Sequence, residues 1–282
     1  MKKKFEAPQS WERSRILLGL LIIFTVFESA ARGLGSDRGQ AGLIVCAIVI
    51  ATCLGVESVL FGRSAVHAWR VLGLGLPAAR GWMIAFGAVT VLLLILFVVD
   101  QADSITIELT ADALVLLPGL FAQGGIGEEI LFRGYLYRHF RTRRSYRHAA
   151  TLSMLPFAAV HLLLFLSLPW QIALLGWLVS VVLSYPLAHL FEISGNSIWP
   201  PALVHFVIQA VPKVTTISNA PDWVLPISWM MLTVAVLWLV MALDQVLRRK
   251  SKVITSLESP LPRSCGPDDC DAEGRPYVLA KH

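Results

Sequence analysis

Charge is what this sequence has least of. Only 15% of its 282 residues are Asp, Glu, Lys or Arg, 56% are hydrophobic, and the mean hydropathy is +0.66. Soluble domains carry about a quarter charged residues, so water is excluded as the solvent for most of the chain. Internal repeats and low-complexity tracts are absent, which argues for one membrane domain with short arms. Cysteine is scarce. Cys46 and Cys53 lie about two helical turns apart in an apolar run and read as packing residues. Cys265 and Cys270 sit in "SPLPRSCGPDDCDAEGRP" with no second ligand pair near them, so a zinc knuckle is not expected there. That tail, rich in Pro, Gly and Asp, is expected to be disordered and reduced. The HExxH helix of many zinc peptidases is also missing.

Long apolar runs are what the sequence has in abundance. A bilayer core of about 30 Å needs roughly 20 apolar residues in a helix. Such runs predict an all-α polytopic bundle of about eight spans: Ile16–Ala31, Gly42–Phe61, Trp82–Val99, Ala113–Phe132, Ala149–Leu168, Trp170–Phe191, Ile198–Val211 and Val224–Leu247. The expected domains are a basic arm over 1–15, a membrane domain over 16–247 and a tail over 248–282. "MKKK…ILLGLLIIFTVFESAA" has some features of a signal peptide, but its mixed, long leading region favours an uncleaved first helix.

The net charge is +5, with 24 basic and 19 acidic residues. The basic residues cluster before the first span, between spans two and three (Arg63, Arg70, Arg80), after span four (Arg138 to Arg147) and after the last. Asp100 to Ala111 has three acidic residues and no Lys or Arg. This alternation predicts that both termini are cytoplasmic. The expected location is the plasma or inner membrane, with anionic lipid as a partner. No soluble basic fold remains for nucleic acid. "RHFRTRRSYRH" is expected to lie along the headgroups.

Ionisable residues inside spans cost about 2.5–3.5 kcal/mol each on insertion scales. Glu28, Glu57, His189 and Glu192 fall near span ends and read as structural. "GGIGEEILFRGYL", Gly124 to Leu136, is different. Glu129 and Arg133 are spaced for an ion pair on one helix face. Glu128 lies about 100° around the helix, so the same arginine is poorly placed to neutralise it, and a surplus carboxylate suits a general base. His161 in "FAAVH" and His205 in "HFVIQ" belong to other spans. Depths of about 9 Å for Glu128, 12 Å for His205 and 18 Å for His161 from the cytoplasmic side put them in one layer. Gln209 follows His205 by a turn. Gly124, Gly125 and Gly127 permit close helix approach, and Pro200 and Pro201 suit a first helical turn. From the residues alone, a hydrolase and a transporter both fit.

"EEILFR", "FAAVH" and "HFVIQ" resemble the EExxxR, FxxxH and HxxxN/D motifs of the CPBP family, the CAAX-protease and bacteriocin-processing intramembrane endopeptidases (an abortive-infection-like family). The resemblance covers roughly 113–209. It implies hydrolysis of a membrane-tethered or CAAX-like peptide near the cytoplasmic face. By similarity Glu128 would activate water with His161, His205 and Gln209 would hold the oxyanion, and Glu129 and Arg133 would support the site. Family members have been described as glutamate proteases and as metalloproteases; no cofactor is certain, and zinc on Glu128, His161 and His205 would be compatible. Gln209 departs from the pattern by one methylene. It keeps open a catalytically silent scaffold or immunity factor, with an ion-coupled transporter third. The pattern assigns no oligomeric state.

Overall fold

In the computed structural model the described residues are 9–34, 39–101, 106–218, 220–221 and 223–258. Lys2 to Lys4, Asp103 and the Cys265/Cys270 tail lie outside them. Apolar runs become helices because lipid offers no partner for backbone N–H and C=O groups. The helices are α1 (Gln9–Gly33), α2 (Gln40–Phe61), the short α3 (Ala65–Val71), α4 (Ala79–Asp100), α5 (Ala113–Leu120), α6 (Arg138–Arg141), α7 (Tyr146–His161), α8 (Trp170–Ile193), α9 (Trp199–Val214) and α10 (Val224–Glu258). Between α5 and α6 the rod continues through two π-helical segments, Phe121–Gly127 and Ile130–Tyr137. Strands β1 (Thr106–Leu109) and β2 (Thr215–Ser218) pair antiparallel.

Among the described residues seven helices are long and apolar enough to cross a membrane, and the chain is a multi-pass integral membrane protein. Its fourth rod runs from Ala113 to Arg141, nine residues beyond the expected end at Phe132. "RHFRTRRSYRH" is therefore not a separate interfacial helix: α6 finishes the fourth rod, and Ser145 caps the start of α7 through a hydrogen bond from the His148 N–H.

The seventh expected span is α9, and its 16 residues reach only about 24 Å. It nevertheless links the same two end layers as the 22-residue α4. At the starts of both helices, Ile198 N–H donates to Gly73 O at 2.9 Å and Ala78 N–H donates to Ser194 O at 2.9 Å. At their far ends, Ile107 N–H donates to Asp100 Oδ1 at 2.8 Å and Thr110 N–H donates to Val214 O at 2.9 Å. β2 takes over where α9 stops, so the short helix still joins the two layers. The proline pair sits in its first turn, as expected.

The layer at the starts of α4 and α9 holds Arg63, Arg70, Arg80 and the run from Arg138 to Arg147. There Arg143 pairs with Glu12 at 2.9 Å. Glu57, fully buried, binds Arg63 and also His139 at 2.8 Å. Glu192 accepts from Tyr137 at 2.7 Å and from Arg141. Glu57 and Glu192 thus tie helices together, and Glu28 pairs with Arg32 within α1 at 2.7 Å. Cys46 and Cys53 are buried free thiols among apolar neighbours.

By backbone contacts Met1–Val240 forms one compact unit and Met241–His282 a second. Within the second, Arg248 pairs with Asp244 at 3.0 Å.

Candidate active site

Glu128 and Glu129 occupy the junction between the two π-helical segments. Hydrogen bonds from i to i+5 make such turns wider than α turns, and they cluster at functional sites. Glycines line the turn before the carboxylates, and α9 packs directly on them. A Cβ on Gly124 would stand 1.7 Å from Gln209 Nε2, and one on Gly125 would stand 2.9 Å from Ala202 O. Only bare backbone lets the two rods come this close.

Across that seam the charged side chains form a chain. Glu129 is fully buried, and its Oε1 accepts from Arg133 Nη1 at 2.6 Å and from His205 Nδ1 at 2.7 Å. The first contact is the i, i+4 pair expected from the sequence. The second was not foreseen. An ionised carboxylate only accepts, so the Nδ1 proton belongs to the ring and Nε2 is turned the other way. Nε2 faces Glu128 Oε2 at 3.7 Å. Arg133 thus neutralises Glu129, and Glu128 is left over with a quarter of its side chain exposed.

His161, at the end of α7, donates Nδ1–H to Phe157 O at 2.8 Å, which leaves Nε2 with its lone pair. It lies within electrostatic reach of Glu128, His205 and Arg133. Phe157 holds this group together. Its ring centre is 4.4 Å from that of His161, 6.0 Å from His205 and 4.7 Å from Phe132, and the Arg133 guanidinium lies over its face at 4.7 Å. Phe157 is the first letter of "FAAVH". Its place in that motif was the available signal, although it carries no chemistry of its own.

Gln209 lies one turn beyond His205. Its Oε1 accepts from Lys213 Nζ at 3.0 Å, while its Nε2 is buried with no partner among the described residues. Glu129 Oε2 is likewise buried and has no hydrogen-bond partner among the described residues. Because the fourth rod ends at Arg141, Glu128 sits roughly 15–20 Å from that end rather than the shorter depth read from the sequence.

Among the described residues no three His, Cys, Asp or Glu side chains stand together as a metal-ligand set. His205 Nδ1 is committed to Glu129 and His161 Nδ1 to a backbone carbonyl. Both Nε2 atoms therefore stay open, the orientation that carboxylates and backbone carbonyls also impose on metal-ligating histidines.

A helical membrane bundle with a carboxylate and imidazoles meeting between its rods defines a class of intramembrane acid–base sites. The model of the Rce1-like type II CAAX prenyl endopeptidase family matches residues 110–211. That segment holds all three motifs and is similar to the CPBP/CAAX-protease family that the resemblance named. Together with the membrane fold, the match supports an intramembrane protease. No curated protein matches the chain.

Proposed function

We propose that this protein is an intramembrane endopeptidase that uses Glu128 to activate water against a peptide bond of a membrane-tethered, CAAX-like substrate. One observation carries the reading: Glu128 faces the outer nitrogen of His205 at 3.7 Å, and Glu129 holds the inner nitrogen at 2.7 Å. A carboxylate that orients an imidazole, leaving its other nitrogen for the reaction, is a recurring hydrolytic arrangement.

In the proposed step, water attacks the scissile carbonyl and gives a proton to Glu128. The His161 lone pair helps to hold that water. The carbonyl π electrons move to oxygen, where His205, in its doubly protonated form with Nε2–H outward, and the Gln209 NH2 group donate hydrogen bonds. As the tetrahedral carbon collapses, the C–N bond breaks and Glu128 returns the proton to the leaving amine. Glu129 and Arg133 keep His205 in register. The basic layer is read as cytoplasmic, which puts both arms, 1–15 and 248–282, on that side of a membrane domain over 16–247.

The test is purified protein in liposomes with a quenched, farnesylated CAAX peptide. Wild type should cleave it and Glu128→Ala should not; equal turnover would remove the assignment. The competing reading is a silent scaffold, favoured by the departure at Gln209. Full rescue of a cellular phenotype by both Glu128→Ala and His161→Ala would select it.

A further inference from the structure

We propose that Lys213 is a positioning residue that orients the Gln209 carboxamide, so that a glutamine seated over Gly124 does the work expected of the shorter asparagine. The inference rests on the proteolytic reading above.

A carboxamide can present either end to its surroundings. Lysine carries only donors, so the 3.0 Å contact from Lys213 Nζ fixes the oxygen on its side. The NH2 group is then turned the other way. There it is buried and meets no protein acceptor among the described residues. Buried donors are nearly always partnered, and one left open in a site of reactive groups calls for an explanation.

The location supplies one. Gln209 lies one turn beyond His205, and Gly124 lies one turn before Glu128, on rods whose end-layer contacts make them antiparallel. The open NH2 is therefore on the same seam as the His205–Glu128 pair. Gly124 also resolves the length problem. The extra methylene of glutamine drives the amide into the notch that a missing Cβ leaves, where any side chain would collide with it at 1.7 Å. During attack, electron density moves from the carbonyl π bond to its oxygen, and Nε2–H donates to that oxygen without transferring its proton. Lys213 touches neither the water nor the substrate; it acts through Gln209.

Four variants test this in liposomes with the quenched, farnesylated CAAX peptide. Gln209→Glu keeps the size and the lysine contact but removes the donor, so kcat should fall about 10²–10³-fold. Lys213→Met should lower kcat about tenfold, a fraction of that loss, with KM nearly unchanged. Lys213→Arg, also a pure donor, should restore most of kcat. Melting in detergent should be the same for wild type and Lys213→Met. Wild-type kcat in Lys213→Met, a loss that Lys213→Arg does not restore, or a parallel drop in melting temperature overturns the inference while Glu128→Ala remains inactive. If Glu128→Ala turns over like wild type, or wild type leaves the peptide uncut, the proteolytic reading on this substrate falls and the inference falls with it.

Discussion

His205 is anchored by Glu129 and only approached by Glu128: its Nδ1 lies 2.7 Å from Glu129 Oε1, and its Nε2 lies 3.7 Å from Glu128 Oε2. Two neighbouring carboxylates of the same chemistry thus take different roles, because one is buried in a pair with Arg133 and the other keeps part of its surface open. The sequence already gives Arg133 to Glu129 by spacing; the partner across the seam adds the anchor on His205.

The two glutamates should respond differently to truncation. Glu129→Ala leaves Arg133 buried and unpaired, which should cost roughly 3–5 kcal/mol of stability. Glu128→Ala removes no ion pair with arginine and should leave the melting temperature within a few degrees of wild type while abolishing cleavage. Detergent melting curves beside peptide turnover will separate the two. Equal destabilisation would argue against the division of roles.

Phe157 should behave as part of the site despite its inert ring. Phe157→Ala removes the surface on which Arg133, His161 and His205 all pack, and should destabilise the protein by about 3–5 kcal/mol. Phe157→Leu fills much of the volume but offers neither a ring edge nor a face. It should be more stable than the alanine variant and still lose turnover. A leucine variant with full activity would reduce Phe157 to filler.

Gly134 is pressed against the segment that receives the start of α9. A Cβ there would lie 2.2 Å from the Leu72 carbonyl oxygen, a backbone atom that cannot rotate away. Leu72 leads into Gly73, whose carbonyl holds Ile198. Gly134→Ala should therefore cost at least roughly 1–3 kcal/mol and disturb the seating of His205 as well. A variant with wild-type melting and turnover would count against that linkage.

The Glu57 cluster lies outside the reactive group and should influence stability alone. Glu57→Ala strands His139 and Arg63, the latter about a quarter exposed, so the loss should fall at the lower end of the roughly 3–5 kcal/mol typical of broken buried pairs. Residual folded protein should retain the wild-type KM. A changed KM would point to a link with substrate binding.

Much of the fold was legible because a membrane demands long apolar helices, and seven of the expected spans appear as such. The eighth, α9, was readable as an element but not as a short one: hydropathy does not reveal that β2 completes its reach. The end of the fourth rod was misplaced because "RHFR" looks like a loop on hydropathy, whereas Glu192 and Glu57 take up Arg141 and His139 there. Within the site, the Glu129–Arg133 pair followed from spacing along a single helix. The Glu129–His205 anchor, the Phe157 hub and the Lys213–Gln209 contact did not. The first two need separate rods brought into contact, and the third needs the direction of a carboxamide.

The wide turns on either side of the paired acids carry one further consequence. Each resembles an ordinary coil that has absorbed a surplus residue, so removing one amino acid between Phe121 and Gly127 would let it rewind to standard pitch. Everything downstream would then keep its bearing about the rod axis, because the wide turn had already taken up the extra residue. A further deletion, made in turns of standard pitch, has no such reserve and would swing Glu128 by about 100° off the seam. The rod should therefore tolerate the loss of one residue ahead of Glu128 far better than the loss of two.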